Sequence, residues 1–163
     1  SGIGLLPGVD GFTAPMADAE VAVAVDCASS ERLAGLEESF QGHPVRVVID
    51  HHATNTGFGT VDLIDPAANC TTELVLAVID GLGAELDAGT ADCLYAGLIT
   101  DTGSFRWASP SGHVMASRLL AAGALGLLVG LANAALPFLT TAALALTGAG
   151  VAACGSAGTA PRQ

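Results

Sequence analysis

The chain has 163 residues, with 16 Asp and Glu against 5 Arg and no Lys, for a formal net charge of -11. A surface of that sign repels long nucleic acid unless contact is local or bridged by metal, although acidity also serves solubility alone. The length suits one ordinary domain with its own core. Four cysteines, Cys27, Cys70, Cys93 and Cys154, lie far apart with no CxxC pair. That spacing excludes a zinc ribbon or a small disulfide scaffold and points to reduced thiols in the cytoplasm.

Residues 1–20 are rich in turn chemistry ("LLPGVDGF", "TAP") and show no basic stretch ahead of an apolar one, so no signal peptide is expected in them. The start at Ser1 rather than Met reads as internal to a longer protein. Val21–Val25 is a continuous apolar run that breaks into Asp26 and small residues, the pattern of a buried parallel strand followed by a loop. Ser29 or Ser30 can cap a helix that is expected to reach about Phe40 and stop before Gly42 and Pro44. "VRVVID", residues 45–50, is a second buried strand, so Asp26 and Asp50 each end a strand of one βαβ unit. Both strand ends then lie on one edge of the sheet, the edge where open α/β folds bind ligands.

"VDLI", residues 61–64, predicts a short strand, and Asn69 caps a helix over about Thr71 to Leu82. A further helix runs from about Ala88 to Ile99, ending near Asp101, with Ala91, Leu94 and Leu98 on its apolar face. The last starts near Ser109 or Ser111 and stops at Gly123. The fold class is α/β, an open, mostly parallel sheet flanked by helices, over residues 1–123.

All 16 acids lie between Asp10 and Asp101, and residues 124–163 carry Arg162 as their only charge. That apolar, low-complexity tail is readable as a membrane span, as an unusual helical pair, or as an out-of-frame translation of GC-rich DNA. Gly126, Gly130, Asn133 and Pro137 interrupt it and no aromatic residue anchors its ends, so the out-of-frame reading is preferred and no membrane partner is expected.

The chemistry concentrates at strand ends. An Asp after a strand is commonly a cap or turn residue. At Asp50 two imidazoles follow, His51 and His52, and side chains of successive residues point in different directions. One can ligate a metal while the other faces a bound anion, and carboxylates beside imidazole suit manganese, iron or zinc better than calcium. Asp101, followed by Thr102, Gly103 and Ser104, adds a carboxylate. If its helix returns to the same sheet edge, Asp26, His51 and Asp101 converge on one cation. His43 precedes a proline and reads as a surface turn residue, and Trp107 as a core or dimer-contact residue.

"VDCAS", "VIDHHATN" and "AGLITDTGSFRWAS" resemble three successive motifs of the DHH phosphoesterase superfamily, a RecJ-like catalytic domain. The pattern is most similar to the bacterial nanoRNase/pAp-phosphatase group. The resemblance covers roughly residues 5–123 and implies a cytoplasmic, metal-dependent hydrolase with two Mn2+ ions, Mg2+ or Co2+ being alternatives. Its implied substrates are very short oligoribonucleotides and adenosine 3′,5′-bisphosphate (pAp), not long duplexes. A homodimer is compatible with it.

By motif, Asp26 is the bridging metal ligand, and His51 and Asp101 complete one ion. His52 contacts the scissile phosphate, Asp50 orients the histidines, and Arg106 and Ser104 are candidate substrate contacts. The family's first motif, a histidine and two aspartates after an N-terminal strand, has no counterpart upstream of Val21, and its C-terminal substrate-binding domain is absent. The fragment is therefore expected to be inactive or nearly so. Alternatives are a cyclic-dinucleotide phosphodiesterase, a single-strand exonuclease or an inorganic pyrophosphatase of the same superfamily, or a non-catalytic α/β binding module.

Overall fold

A computed structural model describes residues 19–123 and the backbone of residues 150–153. Residues 1–18, with Asp10 and Asp18, and most of the apolar tail, with Cys154, lie outside the described residues.

The sheet has four parallel strands: β1 (Val21–Val25), β2 (Val45–Asp50), β3 (Val61–Ile64) and β4 (Gly150–Ala153), in the order β3-β2-β1-β4. β1, β2 and β3 form the open parallel sheet the apolar runs predict, while β4 lies in the tail and is not among the expected strands. β4 draws four residues of the low-complexity stretch alongside β1, pairing Ala22 with Gly150 through Val25 with Ala153.

Side chains on a strand alternate between faces, which splits the VAVAV run of β1 in two. Val23 and Val25, with Ile49 of β2, pack under three helices, α2 (Thr71–Gly81), α3 (Ala88–Asp101) and α4 (Pro110–Ala121). Ala22 and Ala24, with Val48, pack on the other face with Leu33 and Phe40. Both faces are covered, so the strands read as continuous apolar runs.

The segment after β1 differs from the single helix expected. A 3-10 turn (Ser30–Leu33) and a short helix, α1 (Glu37–Gln41), are separated by Ala34 and Gly35 at φ 53 and 87. Two successive left-handed residues end any right-handed helix, and Leu36 instead donates its backbone N–H to the Leu33 carbonyl. His43, expected at the surface, is buried, with its ring Nδ1 2.7 Å from the Ser39 carbonyl oxygen.

The helices fit their predicted spans closely, and Ala91, Leu94 and Leu98 are all buried. α2 and α3 approach so closely at Gly97 that a Cβ there would lie 2.4 Å from Thr72 Cγ2. Asn69 precedes the first residue of the α2 cap rather than capping with its own side chain. Its backbone N–H and its Nδ2 both donate to Glu73, each at 2.8 Å, and its Oδ1 accepts from the Ser109 N–H at 2.7 Å. One side chain thus ties the start of α2 to the start of α4. Arg118 of α4 completes the tie with a two-pronged ion pair to Asp80 of α2.

Candidate metal centre

Parallel pairing brings the ends of β1 and β2 to one edge, and α3 delivers its last residue there. Asp26 stands one residue beyond β1 at φ 59, a left-handed conformation that Asp tolerates better than most side-chain-bearing residues. Its backbone N–H still pairs with the Ile49 carbonyl at 3.0 Å, so the strand pairing carries the turn.

Three of the anticipated residues meet here. His51 Nε2 lies 3.8 Å from Asp26 Oδ1 and 3.7 Å from Asp101 Oδ2, and each of these side chains is between 12 and 14 % exposed. These separations are too long for hydrogen bonds. Each suits a pair of donors on one cation, since donors at about 2.0 to 2.2 Å from an ion stand about 3 to 4 Å from one another. The donors that all lie within 4.8 Å of one another are Asp26, His51 and His52; Asp101 is not in that set and approaches it through His51.

His52 is differently placed. Its Nδ1 is 2.7 Å from Asp50 Oδ1 and 3.9 Å from Asp26, and its side chain is 34 % exposed. Asp50, fully enclosed, also accepts from Asn55 Nδ2 at 2.7 Å through its other oxygen. The same Asn55 amide donates to the Cys27 carbonyl at 2.9 Å, joining the loop after β2 to the loop after β1.

The electrostatics follow from burial. Enclosure and then the neighbouring Asp26 charge push the Asp101 carboxyl up to about 7, so near neutrality it competes for a proton. Burial lowers the His51 imidazole below its ordinary value, leaving it neutral with a lone pair to offer. The Asp50 hydrogen bond outweighs burial at His52 and raises it. Burial pushes Asp50 itself upward, but the hydrogen bonds from His52 and Asn55 together overcome it and hold the carboxyl low. Two carboxyls that repel each other in this way form a site where a bound cation would relieve the repulsion.

Arg106 and Ser104, the candidate substrate contacts, follow Asp101 in an exposed turn. Gly103, Ser104 and Phe105 are successive left-handed residues at φ 58, 59 and 67. The hydroxyl that fastens this turn is that of Thr102, which donates to the Leu98 carbonyl at 2.6 Å and accepts from the Phe105 N–H at 3.0 Å. Arg106 reaches over the Trp107 ring, 5.8 Å from its centroid. Trp107 is 70 % exposed, so it is no core residue; its ring lies against Gly103, where a Cβ would come within 2.3 Å. His113 stacks on Phe105 at 5.3 Å and takes no part in the cluster.

Two side chains that bond to the site's carboxylates are not singled out by the sequence. Asn55 belongs to the quoted "VIDHHATN" stretch but was given no role, and Thr71 was seen only as part of a helix start. Thr71 donates its hydroxyl to Asp26 Oδ1 at 2.8 Å.

An open parallel α/β sheet with Asp and His gathered at its carboxyl edge defines the class, and residues 7–98 match the model of the DHH family, N-terminal domain. The chain belongs to the DHH family, as its motifs led one to expect. It is 38 % identical over 93 residues to the bifunctional oligoribonuclease and PAP phosphatase NrnA of Thermus thermophilus, covering 57 % of this chain and 28 % of that protein. An uncharacterized protein of Mycoplasma pneumoniae is 34 % identical over 116 residues, covering 68 % of this chain and 35 % of the relative. The chain thus spans about a third of the length of the curated relatives it matches. An exopolyphosphatase-related protein from Bacteroides fragilis shares the fold with a TM-score of 0.69 at 23 % identity, over 76 % of this chain and 41 % of that one. Among the described residues no helix is long and apolar enough to cross a membrane.

Proposed function

We propose that this chain is part of the catalytic domain of a cation-dependent phosphoesterase that cleaves phosphodiester bonds in very short RNA and removes the 3′-phosphate of pAp. The observation that carries the reading is the gathering of Asp26, His51 and His52 at one sheet edge, with Asp101 of α3 3.7 Å from His51. The substrate choice leans on the likeness to the Thermus oligoribonuclease and PAP phosphatase.

Asp26, His51 and Asp101 hold the cation, Mn2+ being the preferred ion for a carboxylate and imidazole donor set. When bound, the ion lowers the pKa of a coordinated water and neutralises charge on phosphoryl oxygens. His52 is assigned to the substrate. Its Nδ1 is committed to the enclosed Asp50, which orients the ring and keeps it a proton donor, so Nε2–H is free to meet a phosphate oxygen. Arg106, in the exposed turn after Asp101, is a second phosphate contact. These donors suffice for one ion; a second requires donors beyond them, so the 163-residue chain by itself is expected to hydrolyse little or nothing.

The test is Mn2+-dependent release of phosphate from pAp, and shortening of di- and trinucleotides, by the protein encoded by the full-length gene. His51→Ala there abolishes turnover, while His52→Ala lowers it with Mn2+ content near normal. Hydrolysis of cyclic dinucleotides or pyrophosphate with pAp untouched overturns the substrate assignment. Equal loss of metal in both variants overturns the division of roles.

A further inference from the structure

Asp26 poses a positioning problem. It stands beyond the strand in a left-handed backbone conformation, and its carboxylate has a rotation about χ2 that backbone geometry does not fix. The oxygen facing both histidines, Oδ1, is the one that accepts the Thr71 hydroxyl at 2.8 Å. Thr71 is buried and is the first residue of α2, so its own position is set by the helix. The helix is anchored in turn through Asn69 and Glu73.

We infer that Thr71 is a positioning residue for the cation site: its hydroxyl fixes the rotation of the Asp26 carboxylate and so presents it toward the point faced by His51 and His52. The inference rests on the proposed cation-binding reading and deepens it. Thr71 is assigned its role through Asp26, not through the ion or the substrate. A hydroxyl donor to a ligand carboxylate holds it in register, and losing such a partner typically weakens metal affinity by about 10 to 100-fold. Threonine does this from a helix start because its β-branched side chain has few rotamers.

The experiment is calorimetric titration of Mn2+ into the 163-residue chain and its variants, each checked by thermal melting in EDTA. Thr71→Val keeps the shape and removes the donor, and its Mn2+ affinity falls about tenfold or more. Thr71→Ser keeps the hydroxyl, and its affinity stays within about threefold of the parent. If Thr71→Val does not fold, Thr71→Ala carries the same comparison. Parent binding with unchanged affinity in the variant lacking the hydroxyl overturns the Thr71 assignment alone. Equal weakening in Thr71→Ser and the variant lacking the hydroxyl also overturns it, since the donor is then not what matters. A parent chain that takes up no Mn2+ overturns the cation-site reading, and the Thr71 assignment falls with it.

Discussion

At one end of β2 an apolar side chain faces solvent, and at the other a carboxylate is enclosed: Val45 is 40 % exposed and Asp50 is 0 % exposed. Burial by hydrophobicity alone would reverse them, since an unpaired buried charge is among the most expensive features a fold can carry. The inversion is tolerated because Asp50 has a partner on each oxygen, His52 on one and Asn55 on the other. Strand β2 therefore works as a rail whose start needs little specification and whose end is held by hydrogen bonds spanning two loops.

The largest expected effect tests that inversion. Asp50→Ala strips His52 and Asn55 of their acceptor and should lower unfolding stability by about 3 kcal/mol in a urea titration at pH 7. A loss below about 1 kcal/mol would mean that the carboxylate is not a structural partner. Next comes Gly97→Ala, whose added Cβ would sit 2.4 Å from Thr72 Cγ2 where α2 crosses α3. Overpacking there should cost about 1 to 3 kcal/mol in the same titration. Val45→Ala, at the other end of β2, should stay within about 0.5 kcal/mol, and a larger loss would erase the contrast between the two ends.

A pH series sharpens the same picture. Asp101 has its carboxyl raised to about 7 from an ordinary 3.8. The sign follows from linkage: the folded, metal-free state binds the extra proton, so this contribution to stability is full below the unfolded value and is lost as pH rises through about 7. A cation must displace that proton, so the Mn2+-induced rise in melting temperature should grow between pH 5.5 and pH 8. Asp101→Asn should flatten that growth as well as shrink the shift. A Mn2+ shift independent of pH would remove Asp101 from the ligand set.

Much of this was legible in the sequence because strand ends announce themselves. The apolar runs before Asp26 and Asp50 stop abruptly in polar residues, and parallel pairing then fixes where both carboxylates go. Adjacent imidazoles after β2 and a carboxylate at the end of the next-to-last helix are visible in the chain, and the structure puts His51 3.8 Å from Asp26 and 3.7 Å from Asp101. Thr71 is hidden for a physical reason: its partner Asp26 lies 45 residues away, and nothing local to a threonine reveals such a bond, whereas Asn55 needs the turn after β2 to bring it back onto Asp50 five residues earlier. Pro44 after His43 suggests an exposed turn, whereas the ring folds back on the carbonyl of Ser39 within α1. The break at Ala34 and Gly35 was missed because alanine favours helix and its left-handed φ is imposed by tertiary context.

The most direct measurement is an anomalous-scattering map of crystals of this chain grown with Mn2+. A manganese peak about 2.0 to 2.2 Å from Asp26, His51 Nε2 and Asp101 together, with His52 Nδ1 still bonded to Asp50, is the expected result. Manganese bound elsewhere, or a vacant cluster with Asp101 hydrogen-bonded to a carboxylate or imidazole, would contradict the convergence on which the functional reading stands.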